Sequence, residues 1–322
     1  MLRQLVLRAL AGIAVVWGVV TLVFLLLHAA PGDPAALLLG PNATPAQIAA
    51  QRDELGLDRP LAAQYAAWIA RFARGDWGTS IVTGRPARAM LAEAWPATAR
   101  LVAVSLSLSY LLGLALGMLQ AARPGSRSDT LLSIVSVTLF ALPGYWLGLM
   151  LVMLFTYELR LLPAFGAAGL DAEFLSPRGR AIDSVRHLIL PAATLTLIGL
   201  GGIARFVRGA MADVAGSLFL TVARAKGLSS RTVLVRHALR NALVPVLALL
   251  GLSLPALFSG AVFVEAIFAW PGVGRILVDA VVARDYPVVL AATGVSATLV
   301  VVGGLMADAL SAWADPRMRH AG

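Results

Sequence analysis

The sequence predicts an all-α polytopic membrane protein: six transmembrane helices with a small helical subdomain outside the membrane. Three observations predict it. Of 322 residues, 59% are hydrophobic and only 13% charged, where a soluble domain carries about a quarter. Mean hydropathy is +0.83. Apolar segments long enough to cross a bilayer as helices alternate with polar stretches in which arginine is concentrated.

Composition also excludes some functions. The net charge is +9, and of the 26 basic residues all but Lys226 are arginine. Much of this charge gathers at the ends of apolar segments, where it orients helices and meets anionic lipid, so nucleic acid is not the implied partner. No cysteine is present, which excludes disulfides, thiolate metal sites and cysteine nucleophiles.

Arg3 and Arg8 precede an apolar run from Ala9 to Leu27, which reaches roughly 28 Å as a helix. It is longer than the apolar core of a signal peptide, and His28-Ala29-Ala30 is a poor cleavage site. Residues 1–29 are therefore read as a cytosolic N-terminus and a retained first helix. Residues 30–97 differ in character. They open with Pro31-Gly32-Asp33-Pro34, carry Tyr65, Trp68 and Ile69 at helical spacing, and end in the turn-rich Gly75-Asp76-Trp77-Gly78-Thr79-Ser80. This is the expected external, mostly helical subdomain.

Residues 98–311 are expected to hold the remaining five spans. The second runs from about Leu101 to Leu119, with Gly113 and Gly117 in a spacing that permits close helix approach. The third runs from about Leu131 to Thr156, and Pro143-Gly144 should kink it inside the bundle. A polar loop, 158–186, leads to the fourth span, about Leu188 to Val207. The fifth is about Leu243 to Ile267, with Pro245 at its start and Pro255 within. The sixth is about Val288 to Leu310, followed by a tail, 312–322. Arginine and lysine count thirteen on the side of the N-terminus against six in the short external loops, so both termini and the loop 208–242 are expected in the cytosol.

The stretch 217–245 stands out. It carries Arg224, Lys226, Arg231, Arg236 and Arg240 and no acid. Ala223, Ala225 and Gly227 sit between the charges. Gly227 can take positive φ and end a helix, and Ser229 or Ser230 can cap the next. That next run carries His237, Leu239 and Asn241 toward Pro245. On charge alone this is a loop that fixes topology. The order of residues says more: Ala223-Arg224-Ala225-Lys226-Gly227-Leu228, then His237 through Leu243 and Pro245, resembles the ATPase-coupling loop of ABC importer permeases of the dipeptide, oligopeptide and nickel family. The Pro31-Gly32-Asp33-Pro34-Ala35 opening, Leu55 to Leu61, and Gly75 to Ser80 are similar to the first permease subunit of that family. So are Glu265 to Gly274, Arg284-Asp285-Tyr286-Pro287 and Asp315-Pro316-Arg317.

The resemblance implies the type I importer permease fold and an inner-membrane location. It implies a second homologous permease, two ABC ATPase subunits that bind ATP and magnesium, and an external solute-binding protein. It implies that Ala223 and Ala225 allow close approach to the ATPase, that Arg224 and Lys226 meet its acids or carbonyls, and that Gly227 makes the turn. Asn241 and Pro245 would set the departure of the fifth span. Glu265 and the turn Trp270-Pro271-Gly272 are expected at the external gate or, equally, as simple helix termination.

The residues themselves exclude ATP hydrolysis by this chain, because the lone lysine has Ala225 before it and no P-loop spacing. His28, His187, His237 and His320 form no zinc-binding spacing. No histidine lies in a span after the first, so Ser253 lacks the base an intramembrane protease needs. An ion-coupled secondary carrier remains the alternative, since Pro143 and Pro255 could break helices at the midplane.

Overall fold

The computed structural model describes residues 2–29, 32–40, 42–54, 56–229 and 232–314. Among them every regular element is helical, apart from one isolated bridge between Thr79 and Pro86. Pro31, Leu55, Ser230, Arg231, Asp315-Pro316-Arg317 and His320, all named above, lie outside the described residues.

The first helix, α1 (Leu2–Ala29), packs along the last, α12 (Tyr286–Ala314). Much of its remaining surface is apolar and exposed: Leu10, Ile13, Trp17 and Leu22. Three helices follow: α2 (Pro34–Leu39), α3 (Pro45–Glu54) and α4 (Leu61–Ala73). The expected aromatic face of α4 docks on α1. Tyr65 Oη lies 2.7 Å from Thr21 Oγ1, and Phe24, Tyr65, Trp68, Phe72 and Trp77 form a run of ring contacts.

The centre of the bundle is α5 (Ala87–Ala122) against α8 (Pro177–Ala215). The two glycines of α5 explain the closeness. A Cβ on Gly113 would stand 2.7 Å from an Ile203 methyl, and one on Gly117 would stand 2.6 Å from Val207 Cβ. The α8 helix is longer than the expected fourth span at both ends. Ser176 caps it by accepting from Gly179 N–H at 3.1 Å, with Pro177 in the first turn.

The third span departs from expectation. It is two helices, α6 (Arg127–Ala141) and α7 (Gly144–Val152), the second continued by a π-helical turn, Met153–Glu158. The axes of the two segments differ by 102°. The break is sharper than a kink because the residue before a proline is driven out of the α region, and Leu142 is extended at ψ 134°.

The expected fifth span begins earlier than predicted. A π-helical turn, Val233–Ala238, runs without a break into α10 (Leu239–Ile267). Pro245 therefore lies inside a continuous helix. The short helix α11 (Val273–Val282) and α12 complete the described residues. Among the described residues, four helices are long and apolar enough to cross a membrane, or five if the bent pair is one span.

Candidate functional site

The singled-out residues fall into two groups at opposite ends of α10, a helix of 29 residues and so roughly 43 Å long.

At its N-terminal end sits α9 (Leu218–Ala225). Leu220 and Ala223 point inward and are buried with Val207 and Met211 of α8 and Ala242 and Val246 of α10. Leu218, Phe219 and Val222 point outward and are exposed, Leu218 by 84%. The helix stops where the sequence places the stop. Gly227 takes φ +76°, and Leu228 N–H reaches back to Ala223 O at 3.4 Å, the six-to-one bond of a Schellman cap. Ser229 then caps the next turn, accepting from Thr232 N–H at 3.3 Å. Ala225, Lys226, Leu228, Arg236, Arg240, Asn241 and Pro245 are exposed and His237 is half-buried. The side chain of Arg224 lies outside what is described. Asn241 Nδ2 donates to His237 O at 2.8 Å, supporting the backbone where the π turn passes into α10. Ala223 packs within the chain, so its small size serves this internal contact; Ala225 is the alanine that faces outward.

At the other end, Glu265 and Trp270 are fully buried. Glu265 caps α11 from a distance. Its Oε2 accepts from Gly274 N–H at 2.7 Å and Arg275 N–H at 3.3 Å. Its Oε1 accepts from Thr98 Oγ1 at 2.7 Å, and Thr98 Oγ1 in turn accepts from Val273 N–H at 2.9 Å. Three of the four orphan N–H groups that open a helix are answered this way. Gly272 must be glycine for packing: a Cβ there would collide with the Glu265 carboxyl. Trp270 Nε1 donates to Ala97 O at 3.0 Å, and the Arg100 guanidinium lies 4.9 Å over its ring. Pro271 is exposed. The turn is thus fastened to α5.

Sequence reasoning missed Thr98, an ordinary residue at a span edge whose role shows only when α11 is placed. It also missed that two motifs it had singled out bind each other. Asp285 is buried and accepts from Ser80 Oγ and from Ile81 N–H, the latter at 3.1 Å. A third missed contact lies at the α9 end. Arg208 donates from Nε and Nη2 to both oxygens of Asp129, each at 2.8 Å, and Gly125 N–H joins them at 2.9 Å. This ties the turn before α6 to α8.

Between the two groups, α5, α6, α8 and α10 leave an apolar cleft of about 670 Å³. The framework has a buried cap at one end, a cleft in the middle, and at the other end a short helix that leaves Leu218, Phe219 and Val222 exposed.

The whole chain has counterparts. Residues 113–320 match the family described as the binding-protein-dependent transport system inner membrane component, and residues 1–101 match its N-terminal region. The oligopeptide transport system permease protein AppB of Bacillus subtilis is 39% identical over 99% of this chain and 100% of its own length. The di/tripeptide transport system permease protein DppB of Pseudomonas aeruginosa is 38% identical over 94% and 95%. The glutathione transport system permease protein GsiC of Salmonella paratyphi A is 37% identical over 99% and 100%. A chain of the MetNI methionine ABC transporter, solved in inward-facing conformations, superposes with a TM-score of 0.55. It is 16% identical and covers 71% of this chain and 98% of its own; this likeness is one of fold.

Proposed function

We infer that this chain, which belongs to the family of binding-protein-dependent transport system inner membrane components, is the permease subunit of an ATP-driven importer for peptides. The curated relatives named for oligopeptide, di/tripeptide and glutathione transport support that solute class. On this reading the chain crosses the inner membrane six times, α10 counting as a span, with both termini in the cytosol. Residues 30–97 form an external subdomain. A second permease, two ATPase subunits and a solute-binding protein complete the assembly, and ATP and magnesium belong to the ATPases.

The observation that carries this reading is α9. A helix of eight residues has little stability of its own, yet it is anchored on its inner face and leaves Leu218, Phe219 and Val222 bare. Such a helix fits a groove on another protein. Closure of the ATPase dimer would carry α9, and the continuous helix from Val233 to Ile267 would transmit that motion to Glu265 and the Trp270 turn, which we place at the external gate. Arg224, Lys226 and Arg240 would complement acids on the ATPase.

Co-purification in mild detergent tests this. Wild type should bring down a P-loop ATPase and a second permease, and Gly227→Asp should lose most of the ATPase while keeping the permease. Isolation of the wild-type chain alone, under conditions that preserve other importers, overturns the coupling role and turns attention to an ion-coupled carrier.

A further inference from the structure

We propose that Arg205 is the carboxylate-binding residue of the central cleft, and that the cleft takes a solute with an apolar body and a free carboxylate. This rests on the peptide-importer reading above.

The cleft's wall is built from apolar side chains, three glycines, the hydroxyls of Ser109 and Ser253, and one charged residue, Arg205. Its volume of about 670 Å³ lies within the range of sites that enclose a small molecule. Glycine opens the wall: a Cβ on Gly199 would stand 2.8 Å from Ser109 Oγ, and one on Gly202 would stand 3.3 Å from the Phe140 ring.

Two cations lie one turn apart on α8, and they are used differently. Arg208 is committed to Asp129 through two hydrogen bonds. Arg205 has no ion-pair partner among the described residues; its guanidinium lies 5.6 Å from the Phe140 ring centre. A guanidinium beside a ring and without an acid partner has N–H groups left to meet a planar carboxylate. The ring contact holds the cation beside the cleft. Ser253 Oγ, held 2.8 Å from Tyr110 Oη, adds a polar group to the same lining. On the orientation proposed above, Arg205 stands toward the cytosolic end of the cleft, where a solute makes its last contact before release.

The test is photo-labelling of the whole importer in phosphatidylcholine nanodiscs without its binding protein. The probes are a dipeptide of alanine and p-benzoylphenylalanine, as the free acid and as the C-terminal amide. The acid should label cleft residues roughly tenfold more than the amide, the size of a lost charged hydrogen bond. Arg205→Gln should abolish that preference and Arg205→Lys should keep only part of it, since the charge stays and the planar edge goes. Phe140→Leu, which frees the cation without removing it, should weaken it. Equal labelling by acid and amide in wild type, or a preference that survives Arg205→Gln, overturns the proposal. Loss of acid labelling on adding phosphatidylglycerol also overturns it and assigns Arg205 to a lipid phosphate. ATP-dependent uptake of the dipeptide by the intact importer is measured alongside. Uptake without cleft labelling removes this inference alone, whereas absence of uptake removes the transport reading with it.

Discussion

Thr98 and Glu265, 167 positions apart in sequence, share one hydrogen bond and divide between them the first three N–H groups of α11. The hydroxyl takes Val273; the carboxylate takes Gly274 and Arg275. This joins α5, α10 and α11 at one buried point. Removing the carboxylate leaves buried donors unanswered, at about 1–3 kcal/mol each. Glu265→Ala is therefore expected to lower the melting temperature of the detergent-purified protein by much more than Glu265→Gln, which keeps an acceptor. Thr98→Val should fall between them. Equal melting of all three variants and wild type contradicts the capping geometry.

Gly272 and Gly209 make a matched pair. A Cβ at Gly272 would occupy the Glu265 carboxyl, while one at Gly209 would meet nothing within 4 Å. Gly272→Ala should destabilise by roughly 1–3 kcal/mol, the usual cost of overpacking. Gly209→Ala, inside α8, should be neutral or stabilise by about 0.5–1 kcal/mol, as expected for replacing glycine in a helix interior. Urea or thermal melts of the two variants compare them directly.

The α10 helix ends on Ala269 at φ +48°, with Trp270 N–H returning to Glu265 O at 2.9 Å. The bond pattern matches the cap at Gly227, but the left-handed position holds an alanine, which costs about 1–2 kcal/mol relative to a residue free to adopt it. Ala269→Gly should therefore raise thermal stability. A fall in stability instead would mean that the Ala269 methyl makes packing contacts that outweigh the backbone cost.

How much of this was legible in the sequence depends on the range of the interaction. The stop at Gly227 and the cap at Ser229 are local, since residues a few positions apart satisfy each other, and both were readable. The glycines of α5 announced a close neighbour but not that it would be α8. The break at Leu142 was readable as a kink only, because the pre-proline restriction is local while the 102° turn needs the neighbours of α7 to hold it. Thr98 with Glu265 and Ser80 with Asp285 were not readable at all. Each partner looks like an ordinary turn or helix-end residue until the fold brings together positions more than 150 apart. The same holds for the cleft: its apolar walls look like any span, and Arg205 looks like one more basic residue at a span end.

Asp33 makes the segment that follows α1 sensitive to acid. Burial pushes its carboxyl up, but the hydrogen bond from Arg52 at 2.9 Å and the N–H of Ala35 at 3.0 Å outweigh burial and hold it below the ordinary 3.8. A depressed carboxyl stabilises the fold while ionised. Its contribution is therefore full above the ordinary value and is lost as pH falls through the lower folded value. Asp33→Asn should loosen α2 at neutral pH, read as faster proteolysis in the 32–60 region. The difference between wild type and variant should shrink as the solution is acidified past that window. A gap that stays constant with pH would rule out the ion pair as its cause.

The end of α9 separates backbone geometry from charge. Gly227 sits at φ +76° with nothing within 4 Å of where a Cβ would be, so a substitution there meets strain but no clash. Asparagine tolerates this conformation better than alanine does, and it is uncharged. Aspartate is nearly the same shape but places a negative charge at the C-terminal end of the helix, where the helix dipole already disfavours it, and beside the cations proposed to face the ATPase. Gly227→Asn should keep most ATP-dependent peptide uptake, Gly227→Ala should keep less, and Gly227→Asp should lose nearly all of it at equal membrane abundance. If asparagine and aspartate fail alike, the turn alone matters and the basic residues of α9 do not contact the partner. If all three transport normally, α9 is not the coupling element, and the motion of the ATPases must enter this chain elsewhere.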